Sequence, residues 1–330
     1  MIDVIIPAYN SEKHLPACLD SLGLCDDSNA KVILIDDGST DGTSAICDAF
    51  CAEHANACAI HCENAGAAAA RNAGFAASGN QGQDGWVWFV DSDDVVAPGS
   101  LAVLERLAAE TDADAIHFGC TMFEDGCAPI WGQHAIPQAR LIGGADFLSG
   151  TYTFTYDHYL YLFLFRKSTL ERLVDWRIGH GASDLCDGSF SLLEDVVFCE
   201  ELMQGACRTI CLIPDVLYGY RQTASSVSHS VNAGAADSAL RALRYIDRFD
   251  VPDVDRKPKA LMQIALLFNA YRAAGQGAEA AGLRKEIRCE IEERVRRVGL
   301  SGLSGRLVAR YVALESGLGD VLLKRREERL

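Results

Sequence analysis

The chain has 330 residues, 49% of them hydrophobic, with 46 Asp and Glu against 30 Lys and Arg and a formal net charge of −16. That apolar content excludes a disordered chain and suffices for one large domain with a smaller one. The negative charge excludes general nucleic-acid binding, which needs Lys and Arg to neutralise backbone phosphates, and an overall basic membrane-binding surface. No window approaches the roughly 18 uninterrupted apolar residues of a membrane span. The N-terminus runs into strand pattern without a basic lead or cleavage site, so a cytoplasmic location is expected. The 13 cysteines are odd in number and scattered through apolar patterns, which suits reduced thiols and small buried hydrophobes. Cys47/Cys51, Cys58/Cys62 and Cys207/Cys211 are spaced four apart, without the paired C-x-x-C spacing of a structural zinc site.

Val4-Ile5-Ile6 reads as a first strand broken by Pro7. Asn10 or Ser11 can cap the amphipathic helix that follows, with Leu15, Cys18, Leu19 and Leu22 on one face. A second strand, Lys31 to Ile35, ends in Asp36-Asp37-Gly38-Ser39-Thr40-Asp41-Gly42, whose Asp and Ser residues can cap a helix from about Thr43 to His54. A third strand, Ala57 to His61, precedes Asn64-Ala65-Gly66 and an Ala-rich helix carrying Arg71-Asn72. Trp86 to Val90, short, aromatic and β-branched, reads as a buried parallel strand that stops at Asp91-Ser92-Asp93-Asp94. Alternating strands and helices predict right-handed crossovers and a doubly wound, mainly parallel α/β sheet.

In such a sheet, ligands bind beyond the carboxyl ends of the strands. Tyr9, Asp37, Arg71, Asp91 and Asp93 would then converge: the first two suit a planar base, Arg71 a diphosphate, and the acids a ribose and a hard divalent cation. The plain alternative for the Asp cluster is a turn whose acids start a helix. Neither a G-x-x-x-x-G-K-[ST] loop nor a properly placed G-x-G-x-x-G turn occurs, which excludes a P-loop or dinucleotide-binding chain.

Ile5-Ile6-Pro7-Ala8-Tyr9-Asn10, Ile35-Asp36-Asp37-Gly38-Ser39-Thr40-Asp41-Gly42, Asn64-x-Gly66, Ala70-Arg71-Asn72-x-Gly74 and Phe89-x-Asp91-Ser92-Asp93-Asp94 resemble, in order, the successive motifs of the family 2 inverting glycosyltransferases. The resemblance covers roughly the first 100 residues and implies the GT-A fold. It places Pro7, Tyr9 and Asp37 around a nucleotide base, usually uracil, and Arg71 near the diphosphate. It makes Asp91 and Asp93 the pair that holds Mg²⁺ or Mn²⁺, with Asp94 adjacent and able to substitute. The expected GT-A domain covers 1–230, with a nucleotide-binding half at 1–100 and an acceptor half at 101–230.

Further along, Leu101 to Glu110 reads as a helix and Ala115 to Met122 as a strand, while 124–150 suits loops and short strands. Tyr152 to Phe165 is unusually aromatic; such a run is more often core than a sugar-stacking platform. The Trp-x-Lys-Leu-Tyr common in relatives is replaced here by Tyr161, Phe163, Leu164 and Phe165, without the Lys. Leu192-Leu193-Glu194-Asp195 opens a helix whose acids also complement its dipole. The same resemblance makes Asp195 the catalytic base, with Glu194 its neighbour. Cys207 to Ile213 reads as a strand followed by Pro214. Next come Tyr218-Gly219-Tyr220-Arg221 and trailing serines; Arg221 could steady diphosphate or acceptor, and His229 could be a late metal ligand. From about Ala233 helices dominate, giving an α-helical C-terminal domain at 231–330. Its breaks fall near Pro252, Gly275, Gly299 and Gly317 to Gly319. Leu283 to Leu300 and Arg306 to Leu330 mix Arg and Lys with an apolar face, which suits helix packing or a homodimer and, alternatively, a membrane surface.

The resemblance implies transfer of a sugar from a nucleotide diphosphate sugar, a UDP-sugar for preference, to a glycan or lipid-linked acceptor. That is the chemistry of surface polysaccharide or glycoconjugate assembly, carried out in the cytoplasm or peripherally at the inner face of the membrane. The rival readings are a nucleotidyltransferase, which would want a Gly-rich basic loop after the first strand, and a non-catalytic nucleotide-binding scaffold.

Overall fold

The computed structural model describes residues 1–24, 29–78, 85–132, 138–223, 232–275 and 278–315. Its opening third is a parallel α/β unit: β1 (Ile2–Ala8), α1 (Leu15–Ser21), β2 (Ala30–Asp36), α2 (Thr43–Glu53), β3 (Ala57–His61), α3 (Ala67–Ala77) and β4 (Trp86–Phe89). β1 pairs in parallel with both β2 and β4, and β2 with β3. The run Val4, Ile5, Ile6 faces Val32, Ile33 and Leu34 across this pairing, and all six are buried.

β1 does not break at Pro7. It continues to Ala8, with Pro7 opposite Ile35. The last β4 residue paired with β1, Phe89, lies opposite Ile5. The missing N–H of Pro7 therefore costs no ladder hydrogen bond. Neither Asn10 nor Ser11 caps α1, whose N-cap is His14 without a side-chain bond. Both polar side chains turn instead to neighbouring loops.

Beyond β4 the sheet becomes mixed. The following elements are β5 (Val95–Val96), α4 (Ser100–Glu110), β6 (Ala115–Glu124), β7 (Arg140–Gly143), α5 (Gly144–Tyr152), β8 (Phe163–Arg166), α6 (Lys167–Gly179), α7 (Glu194–Gly205) and β9 (Thr209–Gln222). The strand order is β3-β2-β1-β4-β8-β6-β9-β5, with β7 also on β9. β8 lies antiparallel between β4 and β6, whereas β6 and β9 run parallel. The aromatic run of Tyr161, Phe163 and Phe165 is accordingly core: all three are buried, and Phe163 packs on His117 at a ring distance of 4.7 Å. Nor does the last strand stop at Pro214. It runs through to Gln222, and its register against β6 slips between His117 and Cys120, an irregularity that accommodates the proline and changes which residues face the site.

Two compact units result. Residues 1–148, 157–188 and 198–224 form the first, which contains the sheet; 149–156, 189–197 and 225–330 form the second. Within the second unit, α8 (Ala233–Ile246), α9 (Asp253–Ala273) and α10 (Ala278–Val298) pack on one another, followed by α11 (Gly305–Glu315). Lys259 of α9 donates to the Ile246 and Phe249 carbonyls at the end of α8, at 2.8 and 3.1 Å. Arg294 of α10, only 2% exposed, bonds Gln263 at 3.1 Å and pairs with Asp247 and Glu290, so the buried charge is matched. The expected break at Gly317 to Gly319 lies outside the described residues. Among those residues no helix is long and apolar enough to cross a membrane, and the described cysteines are free thiols.

The contact of α3 with the sheet depends on one glycine. A Cβ on Gly74 would stand 2.3 Å from Cγ2 of Ile5, so the helix reaches β1 only without a side chain there. Gly74→Ala should lower unfolding free energy by roughly 1–3 kcal/mol in urea titration, the usual cost of overpacking. The double variant with Ile5→Ala should lose less than the sum of the two single losses, which two independent sites would not do.

Candidate active site

The first strand-end loops are tied to each other. Ala8 pairs with Asp36, so Tyr9 and Asp37 leave adjacent strands side by side. Asn10, at φ 50, accepts the Thr40 amide at 2.8 Å and donates its own N–H to Ser39 Oγ at 3.0 Å. Tyr9 is half exposed at 50%. Asp37 is buried and accepts the backbone N–H groups of Ala65 and Gly66 at 2.9 and 2.8 Å. A carboxylate offers about four acceptor sites, so these two bonds fix its direction without exhausting it. Gly38, at φ 72, lets the Asn64 backbone approach: an added Cβ would meet its nitrogen at 2.7 Å. The Asp-Asp-Gly and Asn-x-Gly motifs are thus two sides of one junction.

Asp36, the neighbour of Asp37, has a building role. It accepts Ser39 N–H at 3.0 Å and the Ser44 hydroxyl, and faces His61 Nδ1 at 2.9 Å. Burial alone would raise its pKa, but these bonds prevail and hold it at about 2.

Arg71 and Asn72 point from α3 to two different targets. Arg71, 8% exposed, donates from Nη2 to Asp91 Oδ1 at 2.9 Å. Asn72 forms a two-way bracket with the backbone of Cys186, donating at 3.0 Å and accepting at 2.8 Å. Arg71 and Asp91, 20 residues apart in sequence, are therefore in contact. Ser11 Oγ lies 2.8 Å from Ser92 Oγ, joining the β1 loop to the same acidic turn.

The three acids of that turn have different surroundings. Asp94 is 1% exposed; its Oδ2 accepts the Tyr218 hydroxyl and its Oδ1 the Arg221 amide, each at 2.7 Å. With both oxygens directed into protein, Asp94 fixes the turn, while Asp91 and Asp93 are less buried. Burial and the charge of Asp91 raise the pKa of Asp93 to about 6. Arg221 is also bound to the turn: Nε donates to the Asp93 carbonyl at 2.7 Å, Nη1 lies 3.4 Å from Asp125, and the guanidinium covers the Phe123 ring at 4.7 Å. Sequence reasoning did not identify Tyr218, Asp125 or the Asn72 bracket; Tyr218 stood inside a quoted motif, but only the fold brings it to Asp91 and Asp94.

Asp91 and Asp93 fit a hard divalent cation, since Mg²⁺ is commonly held by one or two carboxylates with the remaining positions left to substrate phosphate and water. The like charge beside Asp93 is what such an ion would offset. Among the described residues, no group of three or more His, Cys, Asp or Glu is arranged to hold a metal unaided. Glu194 and Asp195 lie in the second unit, half-buried in the first turn of α7 and directly after Leu193, whose φ is 64°. A left-handed leucine is uncommon, and such backbone is often found at functional positions. His229 lies outside the described residues.

A model described as glycosyl transferase family 2 matches residues 3–174, more than half of the chain. The chain is 36% identical over 116 residues to glycosyltransferase GlyG of Streptococcus pneumoniae, covering 35% of this chain and 38% of that protein. It is 25% identical over 246 residues to the uncharacterized glycosyltransferase EpsJ of Bacillus subtilis, covering 73% and 67%. The chain thus spans well under half the length of GlyG. Among solved structures, S. aureus TarS 1–349 in complex with UDP-GlcNAc superposes with a TM-score of 0.60 at 15% identity, covering 96% of this chain and 92% of that one. A mannosyltransferase from Pyrobaculum calidifontis in complex with GDP-Man and Mn²⁺ gives 0.52 at 17% identity, covering 95% and 86%. At these identities the likeness is one of fold, and the fold is GT-A, as expected.

The Asp36 junction predicts an acid-side loss of stability. A depressed carboxyl contributes stability above its unfolded value of 3.8, and the contribution fades as pH falls through about 2. Asp36→Asn should therefore be less stable than the unaltered protein by roughly 2 kcal/mol near neutrality, a difference that closes between about pH 4 and pH 2 in urea titrations.

Proposed function

The chain belongs to glycosyl transferase family 2, and on that premise we propose that it transfers a sugar, with inversion, from a nucleotide diphosphate sugar to an acceptor hydroxyl. The observation that carries this reading is the contact of Arg71 with Asp91 beside a junction that buries Asp37. It groups a cation, paired acids and a half-exposed aromatic at the carboxyl ends of parallel strands, as a nucleotide diphosphate requires. The nucleotide sugars in the TarS and mannosyltransferase complexes support the donor class, and UDP is favoured here by the higher TM-score of the TarS complex, 0.60 against 0.52.

Pro7, Tyr9 and Asp37 would border the base, with the Tyr9 ring offering a face and Asp37 an acceptor for an imide N–H. Arg71 would offset diphosphate charge while orienting Asp91. Asp93, with Asp91, would hold Mg²⁺ or Mn²⁺, which when bound supplies Lewis-acid neutralisation of a departing diphosphate. Asp195 would take the proton from the attacking hydroxyl as the new glycosidic bond forms and the bond to the diphosphate breaks. One displacement requires no covalent sugar-enzyme intermediate and no second nucleophilic carboxylate. Glycan or lipid-linked acceptors in surface polysaccharide assembly suit the relatives, and a site of action at the inner membrane face would follow from a lipid-linked acceptor.

Asp195→Asn should bind the nucleotide sugar as the unaltered protein does, yet lose about 10²–10⁴-fold in transfer, the usual weight of a general base. Equal loss of binding and transfer would reject that role. The measurement is release of free nucleotide from a panel of nucleotide sugars with Mn²⁺. Pyrophosphate formation from nucleoside triphosphates would favour a nucleotidyltransferase instead, and binding without turnover a scaffold.

A further inference from the structure

We propose that Tyr218 is a positioning residue for the acidic turn, and that Arg221 acts with it on that turn and not on the diphosphate of the donor. The inference rests on the reading of Asp91 and Asp93 as the metal-holding pair. Tyr218 is fully buried; its hydroxyl donates to Asp94 Oδ2 at 2.7 Å and accepts the Asp91 N–H at 3.1 Å. One phenol thereby sets the backbone of the first acid and the side chain of the last. Three residues on, the Arg221 amide binds the other Asp94 oxygen and its Nε binds the Asp93 carbonyl, both at 2.7 Å. β9 therefore restrains every aspartate of the turn.

The restraint is itself anchored. The Tyr218 ring stacks on Tyr161 at 4.3 Å and 15°, and the Tyr161 carbonyl accepts the Trp88 indole N–H at 3.0 Å, so the phenol is tied back to β4, the strand that delivers the turn. Val95 and Val96, just after the turn, pair with Gly219 and Tyr218, closing the loop onto the same residues. Arg221 is 8% exposed, and its Nε, Nη1 and ring-covering face are engaged by Asp93, Asp125 and Phe123, which leaves little of it to meet a ligand. Carboxylates that must share a cation need a fixed separation despite their repulsion, and groups that orient metal ligands commonly carry 10–100-fold in metal affinity.

The test begins with the metal-free full chain. In Tyr218→Phe, amide hydrogen exchange at the Asp91 N–H, followed by NMR, should accelerate. Mn²⁺ affinity in the presence of UDP, read from the free-ion electron paramagnetic resonance signal, should weaken about ten-fold or more. At saturating Mn²⁺ the donor KM should stay near that of the unaltered protein. Asp125→Asn, which removes the exposed carboxylate paired with Arg221, should weaken Mn²⁺ binding by a smaller factor; if Tyr218→Phe does not fold, unchanged Mn²⁺ affinity in Asp125→Asn would overturn the restraint by β9. Unchanged exchange and Mn²⁺ affinity in a folded Tyr218→Phe would overturn the positioning role. An Arg221→Gln variant with raised donor KM but unaltered Mn²⁺ affinity would return Arg221 to the diphosphate. If the unaltered protein binds no Mn²⁺ with UDP present, the metal reading falls, and Asp91 exchange alone still decides whether Tyr218 holds the turn.

Discussion

Crowding three carboxylates into the five residues after β4 creates repulsion that the rest of the first unit is arranged to contain. Burial raises the pKa of Asp93 and Asp94, and neighbouring acids raise it further. Left unrestrained, such a turn would relax apart or take up protons. Instead each adjoining segment contributes at least one restraint. α3 supplies Arg71 to Asp91, the β1 loop supplies Ser11 to Ser92, α1 supplies the Cys18 thiol to the Asp91 carbonyl at 3.6 Å, and β9 supplies Tyr218 and Arg221. The turn is thus a junction of elements drawn from the whole length of the first unit.

The sheet changes character beside this turn. β8 lies antiparallel between β4 and β6, which themselves run in the same direction and are joined through α4. Tyr161, two residues before β8, stacks on Tyr218 of β9. The register slip of β9 opposite His117 to Cys120 then places Tyr218 and Arg221 opposite Cys120 and Phe123, in reach of the turn. Pro214 lies inside this slip, where a missing N–H is tolerated.

Much of the first hundred residues was legible because local patterns and the observed fold agree there. Apolar runs of strand length ended in Asp or Asn, and the intervening helices had their own periodicity. Motif glycines were legible as punctuation, but their causes were not: Gly74 is set by Ile5 and Gly38 by Asn64, neither a sequence neighbour. The same holds for the prolines. Pro7 and Pro214 signal strand breaks by local rules, and only the pairing partners show that no ladder bond was lost at Pro7 and that β9 slips its register around Pro214. After Asp94 the order of strands is set by non-local pairing, so β5, α6 and the position of β8 left little trace in the local sequence.

For the acids themselves, residue type says nothing about role, and surroundings separate them. Asp36 and Asp94 are at most 3% exposed, and every oxygen of each accepts at least one protein hydrogen bond or faces one. A cation would have to displace those bonds and leave buried donors unpaired, at about 1–3 kcal/mol apiece. Asp91 retains an oxygen beyond the one that meets Arg71 in the described contacts, and Asp93 is engaged by Arg221 through its backbone carbonyl and not its carboxylate. The carboxylates best able to exchange partners are therefore the two that are least committed to building the turn. Those that build it are what hold these two at a shared separation.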